Sequence, residues 1–210
     1  MSYEYSENEL VQNSAIELLR DTLGWRTFYA YNDEVLGNDS SSKSLGRSSY
    51  KEILLTRYLK EAVFKFNDWV TDEIFEQIVK ILNTKVSSDS DIQNNEKNYQ
   101  YFKDGIEVDV RDENGNYIKR RAKLFDFTHP EENDFLAVQE MKIWGEVYHR
   151  RADIVGFVNG IPLLFVELKR DDVDIQEAYE NNYKDYRTTI PQLFYYNAFI
   201  VFANEKKKKI

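Results

Sequence analysis

The stretch ADIVGFVNGIPLLFVELK, residues 152–169, constrains this chain more than any other part of it. Asn159 and Gly160 both tolerate positive φ and stand between two apolar runs, a strong local signal for a hairpin. Runs this apolar belong inside a sheet, so the rest of the chain must supply further strands and the helices that cover them. Three charges stand at the open end of that hairpin. Asp153 lies where the first run begins, and Glu167 and Lys169 lie where the second runs out.

Whether those charges share a site depends on register. Glu167 and Lys169 are two apart on an extended chain and project from one face. A two-residue Asn159-Gly160 turn would pair Val158 with Ile161 and Asp153 with Val166, which puts Asp153 and Glu167 on opposite faces. A three-residue turn would set Val158 against Pro162 and Asp153 across from Glu167, with Cβ atoms roughly 5 Å apart. A bulge elsewhere in the hairpin has the same effect. Pro162 donates no ladder hydrogen bond, so an odd-numbered register is the expectation.

Two carboxylates so placed make part of an oxygen shell for Mg²⁺, which takes one or two protein carboxylates and keeps several waters. The Leu168 carbonyl offers a further ligand. Such an ion polarises a phosphodiester and lowers the pKa of a bound water. Lys169, beside two carboxylates, suits electrostatic stabilisation and water orientation better than free-amine base chemistry. Against this stands the plain alternative that charges at strand ends simply reach solvent.

At 210 residues, 42% hydrophobic and 31% charged, with 15 Tyr and 13 Phe, the chain has the material for a substantial globular core. It has no cysteine, which excludes disulfides, thiolate metal sites and a Cys nucleophile. His129 and His149 would need carboxylate help to hold zinc. No apolar run approaches the roughly 20 residues of a membrane span, and MSYEYSENEL lacks the features of a signal peptide. A cytoplasmic protein with no membrane contact is expected. The net charge of −9 excludes a phosphate-binding surface over the whole molecule, so any nucleic-acid contact must be local. The basic clusters at 119–123 and 206–209 read as a solvated strand end and a tail, whereas Arg150 and Arg151 abut Asp153.

Upstream, apolar residues at helical spacing from Leu10 to Leu23, stopped by Gly24, predict a first helix. WRTFYAY predicts a strand, and the loop over 32–49 is too polar and too rich in Gly and Ser to pack. Within it, GNDSSSKS approaches a phosphate-loop order but lacks the second glycine and a strand leading in, so no ATP site is expected in this chain. Helices are predicted over about 50–66 and 72–82, the second capped by Thr71, with a polar loop at 87–95. From Ile106 the texture turns to strands: a hairpin around Asn114-Gly115, the strand DFLAVQEMKIW and the central hairpin. A helix over about 175–187 and a last strand in NAFIVFAN follow. The predicted architecture is α/β, a mixed central sheet flanked by helices.

NDFLAVQEMKIWGEVYHRRADIVGFVNGIPLLFVELKR, followed by AYENNYKDYRTTIPQLFYYNAFIVFAN, closely resembles the N-terminal nuclease region of the restriction (motor) subunit of type I restriction-modification enzymes, in the PD-(D/E)xK nuclease superfamily. LGW after the first helix and LLTRYLKEAV extend the resemblance over nearly the whole chain. It implies a restriction-endonuclease-like fold in a single domain over 1–210, with an inserted helical section at about 50–104. Residue by residue, it implies metal binding by Asp153 and Glu167 and a catalytic role for Lys169. The family's Gln-x-x-x-Tyr element matches best at Asn182 and Tyr186, where Asn shortens the Gln, and Ala152 replaces the usual Pro before the Asp. An acidic residue of the first helix often completes such sites, for which Glu9, then Glu7, is the expectation. Arg150, Arg151 and Arg170 are the expected DNA contacts.

For the whole system the resemblance implies cleavage of double-stranded DNA without sequence readout by this domain, with Mg²⁺ as cofactor and Mn²⁺ able to substitute. Methyltransferase and specificity subunits would be partners, and ATP would serve only a translocase portion, so the chain is expected to be a fragment of a longer subunit. Two other readings stay open. One is a catalytically idle docking module, which suits the acidic charge; the other is a stand-alone DNA-repair nuclease of the same superfamily.

Overall fold

The structure is a computed structural model, and it describes residues 7–37, 43–84, 91–169, 174–204 and 208–209. Along the chain, α1 (Glu7–Glu17) passes through a π-helical turn to β1 (Arg26–Tyr29) and the short α2 (Ala30–Asp33). Next come α3 (Thr56–Phe66), α4 (Asp72–Asn83) and α5 (Asp91–Asp104), then β2 (Ile106–Arg111) and β3 (Tyr117–Ala122). The central strands follow as β4 (Phe135–Trp144), β5 (His149–Val158) and β6 (Ile161–Leu168). After β6, α6 (Ile175–Glu177), a π-helical stretch and α7 (Lys184–Thr189) lead to β7 (Phe199–Ala203) and β8 (Lys208–Lys209).

Six strands form one sheet in the order β1-β4-β5-β6-β7-β8, and β2 and β3 pair separately. β4, β5 and β6 make an antiparallel meander, while β1 and β7 run parallel to β4 and β6. The sheet is therefore mixed and flanked by helices, the restriction-endonuclease-like α/β architecture expected. On one face Val155, Phe157 and Phe165 pack with Ile175, Tyr186, Ile190 and Leu193 from the segment after β6. On the other, Ala137, Ile154, Val166 and Leu168 meet Val11 and Ile16 of α1. Burying each large side chain of this kind contributes about 1.5–3 kcal/mol, so both faces of the apolar hairpin favour burial. A further cluster joins α3, α4 and the β2–β3 hairpin through Leu59, Val63, Ile78, Ile106 and Leu124, and it reaches the sheet at Val158 and Ile161. Helices α3 and α4 thus brace the turn end of the central hairpin and leave its Asp153 end to α1 and the segment after β6.

Thr71 caps α4 as expected, its side-chain oxygen accepting from the Ile74 amide at 3.4 Å. The basic run on β3 is exposed and tied to its hairpin partner by Lys119 and Glu107 at 2.6 Å, a solvated arrangement. Four expectations are corrected. WRTFYAY leaves the strand at Tyr29 and turns helical, and α3 begins at Thr56 rather than near 50. Residues 91–95, read as loop, open α5. Its Asn94 and Asn98 are buried, and the Asn98 amide donates to the Tyr195 carbonyl at 2.9 Å, so polar anchors replace the apolar stripe a sequence reading seeks. Part of the loop read as unpacked, residues 44–47, does pack. Ser44, Leu45 and Arg47 are buried, and Arg47 forms a bidentate pair with buried Glu34 at 2.8 and 2.6 Å while donating to the carbonyls of Glu52 and Lys142.

Candidate active site

The turn that sets the site has two residues, not three: Val158 pairs with Ile161, and Asn159 and Gly160 stand at φ of 51° and 78°. Both positive values match the turn that follows strand twist, which is why the pairing of Val158 with Pro162 does not form. Gly160 also accepts a hydrogen bond from the Leu55 amide at 2.9 Å, and a Cβ there would collide with the Leu55 carbonyl. Register shifts one step later. Phe157 faces Pro162 but Gly156 faces Leu164, so Leu163 is the extra residue of a bulge beside the proline. Ile154 consequently faces Val166, and the next step of this register sets Asp153 across from Glu167. The odd-numbered register expected for the carboxylates is realised by the bulge.

Around these two carboxylates the structure gathers Lys169, Asn182 and Gln12. Asp153 accepts from the Leu168 amide at 2.7 Å through Oδ2 and from Gln12 Nε2 at 3.2 Å through Oδ1. Glu167 is only 2% exposed; its Oε1 accepts from Lys169 Nζ at 3.0 Å and from the Asn182 amide. Its Oε2 is buried and has no hydrogen-bond partner among the described residues. Burial first, and then the charge of Glu167, push the Asp153 carboxyl up to about 7. Burial also raises Glu167, against the pull of Lys169 and Asn182. The site therefore concentrates negative charge that its own hydrogen bonds leave partly uncompensated.

The other expected residues are placed differently. Tyr186 is buried, its ring packs edge-on to Phe165, and its hydroxyl donates to the Arg151 carbonyl at 3.1 Å. Burial holds its phenol above the ordinary range. It thus fixes the β5 backbone just before Asp153 instead of donating to the carboxylates. Arg150 is clamped by Asp185 at 2.5 and 2.9 Å, and Arg151 pairs with Glu140 and lies 4.6 Å from the Tyr31 ring centroid. Arg170 and the side chains of Glu7 and Glu9 lie outside the described residues.

Two residues escaped the sequence reading. Gln12 comes from the expected helix, three positions beyond Glu9, and is an amide where an acid was expected. Glu140 is buried within β4 and accepts from Gln12 Nε2 at 2.6 Å. Its signal was available: Gln139-Glu140 breaks the apolar alternation of DFLAVQEMKIW in mid-strand.

Chemically, the arrangement offers hard oxygen donors, one of them a buried carboxylate oxygen with no donor on it. Among the described residues no group of three or more His, Cys, Asp or Glu forms a ready ligand set. The donors suit a hard cation that takes one or two carboxylates and keeps water, and do not suit one needing a closed protein cage. The hydrogen bond from the Leu168 amide to Asp153 brings the Leu168 peptide to the same place.

Fold and site together define a class of α/β proteins with a restriction-endonuclease-like sheet and two paired carboxylates, one buried and one half-buried, beside a lysine at the open end of the central hairpin. This chain belongs to the family described as type I restriction enzyme R protein N terminus, which it matches over residues 4–210. It is 29% identical over 203 residues to the type I restriction enzyme HindI endonuclease subunit of Haemophilus influenzae, covering 95% of this chain and 18% of that protein. A candidate type I restriction enzyme MjaIXP endonuclease subunit from Methanocaldococcus jannaschii is 28% identical over 211 residues, covering 97% of this chain and 19% of that protein. The chain therefore spans about a fifth of the length of these relatives.

Proposed function

We propose that this domain is the Mg²⁺-dependent endonuclease module of a type I restriction enzyme, a PD-(D/E)xK nuclease that hydrolyses phosphodiester bonds of double-stranded DNA. The observation that carries the reading is the pair of half-buried Asp153 and buried Glu167 facing each other, with one Glu167 oxygen free of any donor among the described residues and Lys169 beside it. Asp153, Glu167 and the Leu168 carbonyl would hold Mg²⁺, or Mn²⁺ in its place. The ion's contribution is charge neutralisation at the phosphate and an acidified bound water.

The chain's own residues do the positioning. Asn182 and Lys169 bind the same Glu167 oxygen, which aims the other at the ligand position. Lys169 presents an ammonium where a phosphate oxygen gains charge in the transition state. Tyr186 holds the backbone that carries Asp153. Arg150 and Arg151 stand next to the site, where phosphate contacts would compete with Asp185 and Glu140. Contacts of that kind register DNA without reading its sequence.

In the cell, specificity would come from partner subunits that recognise and methylate DNA, and ATP would serve a translocase portion of the longer subunit. The setting is the cytoplasm, in defence against foreign DNA. The test uses the complete complex: Lys169→Ala should abolish DNA cleavage while ATP hydrolysis continues at the wild-type rate. A variant that still cuts removes Lys169 from the chemistry, and with it this assignment.

A further inference from the structure

Glu140 is the one residue in the interior of β4 with a left-handed backbone, at φ of 55°. Any residue with a Cβ is strained there, and a charged, buried one doubly so. The strain has a visible effect on the strand. Leu136 and Val138 before it, and Met141 and Ile143 after it, all lie in the same core cluster, so the alternation reverses at Glu140. Pairing shows the same break: Gln139 faces Ile154 and Met141 faces Ala152, while Glu140 and Asp153, the pair between them, are missing from the ladder. β5 reverses in step, since Ala152 joins the cluster that holds Val155 and Phe157 while Ile154 lies on the opposite side. The two strands thus turn over together at Glu140 and Asp153.

What this distortion produces is a contact. Gln12 Nε2 reaches from α1 to both side chains, donating to Glu140 Oε1 at 2.6 Å and to Asp153 Oδ1 at 3.2 Å. The other Glu140 oxygen is held by Arg151. One amide nitrogen has two hydrogens, and here each is directed to a different carboxylate. A left-handed residue, a break in the ladder and a buried bridge between an outer helix and a sheet carboxylate converge on one place. Strand distortions next to active sites re-aim side chains in this way.

We propose that Gln12 and Glu140 form a positioning brace that fixes the orientation of the Asp153 carboxylate, with Arg151 anchoring the outer end. Neither touches the reacting atoms. Glu140 orients the Gln12 amide, and the amide in turn holds Asp153 Oδ1, leaving Oδ2 to the Leu168 amide. The consequence for cation affinity rests on the function proposed above, whereas the brace itself does not.

The test measures Mn²⁺ binding to this chain by electron paramagnetic resonance, together with the side-chain amide signals of Gln12 in ¹⁵N NMR. Gln12→Met, which keeps the shape and removes the donor, and Glu140→Gln should each weaken Mn²⁺ binding about ten-fold, as loss of a ligand-orienting partner typically does. The double variant should bind no more weakly than the single ones, because all interrupt one chain of contacts. Wild-type affinity in either single variant would overturn the brace. If wild-type protein binds no Mn²⁺ in an Asp153-dependent way, the cation reading falls and the Gln12 signals decide alone. Slowly exchanging amide protons that shift in both Glu140→Gln and Asp153→Asn uphold the brace; signals that exchange freely with water overturn it.

Discussion

Asp153 occupies a position where its charged form is disfavoured, and stability should show it. Its carboxyl is raised to about 7, mainly by burial and then by Glu167. An unfolded chain releases the same proton near the ordinary carboxylate value of about 4. Between those two values the folded protein keeps a proton that the unfolded chain has lost, so stability falls as pH rises through the window and stays low above it. Asp153→Asn removes the charge while keeping an acceptor for the Leu168 amide. In metal-free protein the variant should be more stable than wild type at pH 8, by on the order of 4 kcal/mol. Chemical denaturation at two pH values checks this: the difference should vanish near pH 4, and a variant less stable at pH 8 contradicts it. Added Mg²⁺ should raise the wild-type midpoint at pH 8 and leave that of the variant where it was.

The hairpin of β5 and β6 depends on a turn that only glycine suits at its second position. Gly160→Ala combines a φ of 78° with a collision against the Leu55 carbonyl, so it should destabilise the protein by roughly 2 kcal/mol or more in a urea titration. The same element shows how far sequence reaches. Asn159-Gly160 announces the turn because its cause is local, the tolerance of both residues for positive φ. The shift at Leu163 is not local: Pro162 hints at irregularity, but which residue is left over depends on packing on both faces of the sheet. Glu167, Lys169 and Asp153 were legible for the same reason as the turn, since each marks where an apolar run stops. Gln12 was not, because its importance lies in a contact with a residue 128 positions away, and Glu140 showed only as a break in the apolar alternation of its strand, with nothing local to name its partner. Arg47 is a similar case. In a segment of serines and glycines nothing local signals a buried guanidinium, yet it ties that segment to Glu34, Glu52 and Lys142. Arg47→Met should cost about 3–5 kcal/mol by stranding Glu34, and adding Glu34→Met should recover most of it, because a buried ion pair is often replaceable by apolar side chains together but not singly. Equal stability of the single and double variants in urea would refute that account.

For the molecule as a whole, a net charge of −9 means that DNA is repelled by most of the surface and attracted at few points. Among the described residues the cations next to the carboxylates are Arg150, Arg151 and Lys169, and each already has an acidic partner in Asp185, Glu140 or Glu167. DNA binding by the domain alone should accordingly be weak and should release few counterions. With about 0.9 counterion released per phosphate neutralised, three such contacts predict a slope of roughly −3 for the logarithm of affinity against the logarithm of salt concentration. Fluorescence anisotropy with a short duplex and Ca²⁺ in place of Mg²⁺ measures that slope without cleavage. Arg151→Ala should lower its magnitude by about one unit, and it also frees a carboxylate of the brace. A slope of about −6 or steeper would place the main DNA contact elsewhere on the chain. The shallow slope would instead mean that the acidic domain holds duplex weakly by itself, so that the nuclease proposed above would act on DNA delivered to it, with few cations near the carboxylates among the described residues to draw in chance duplexes.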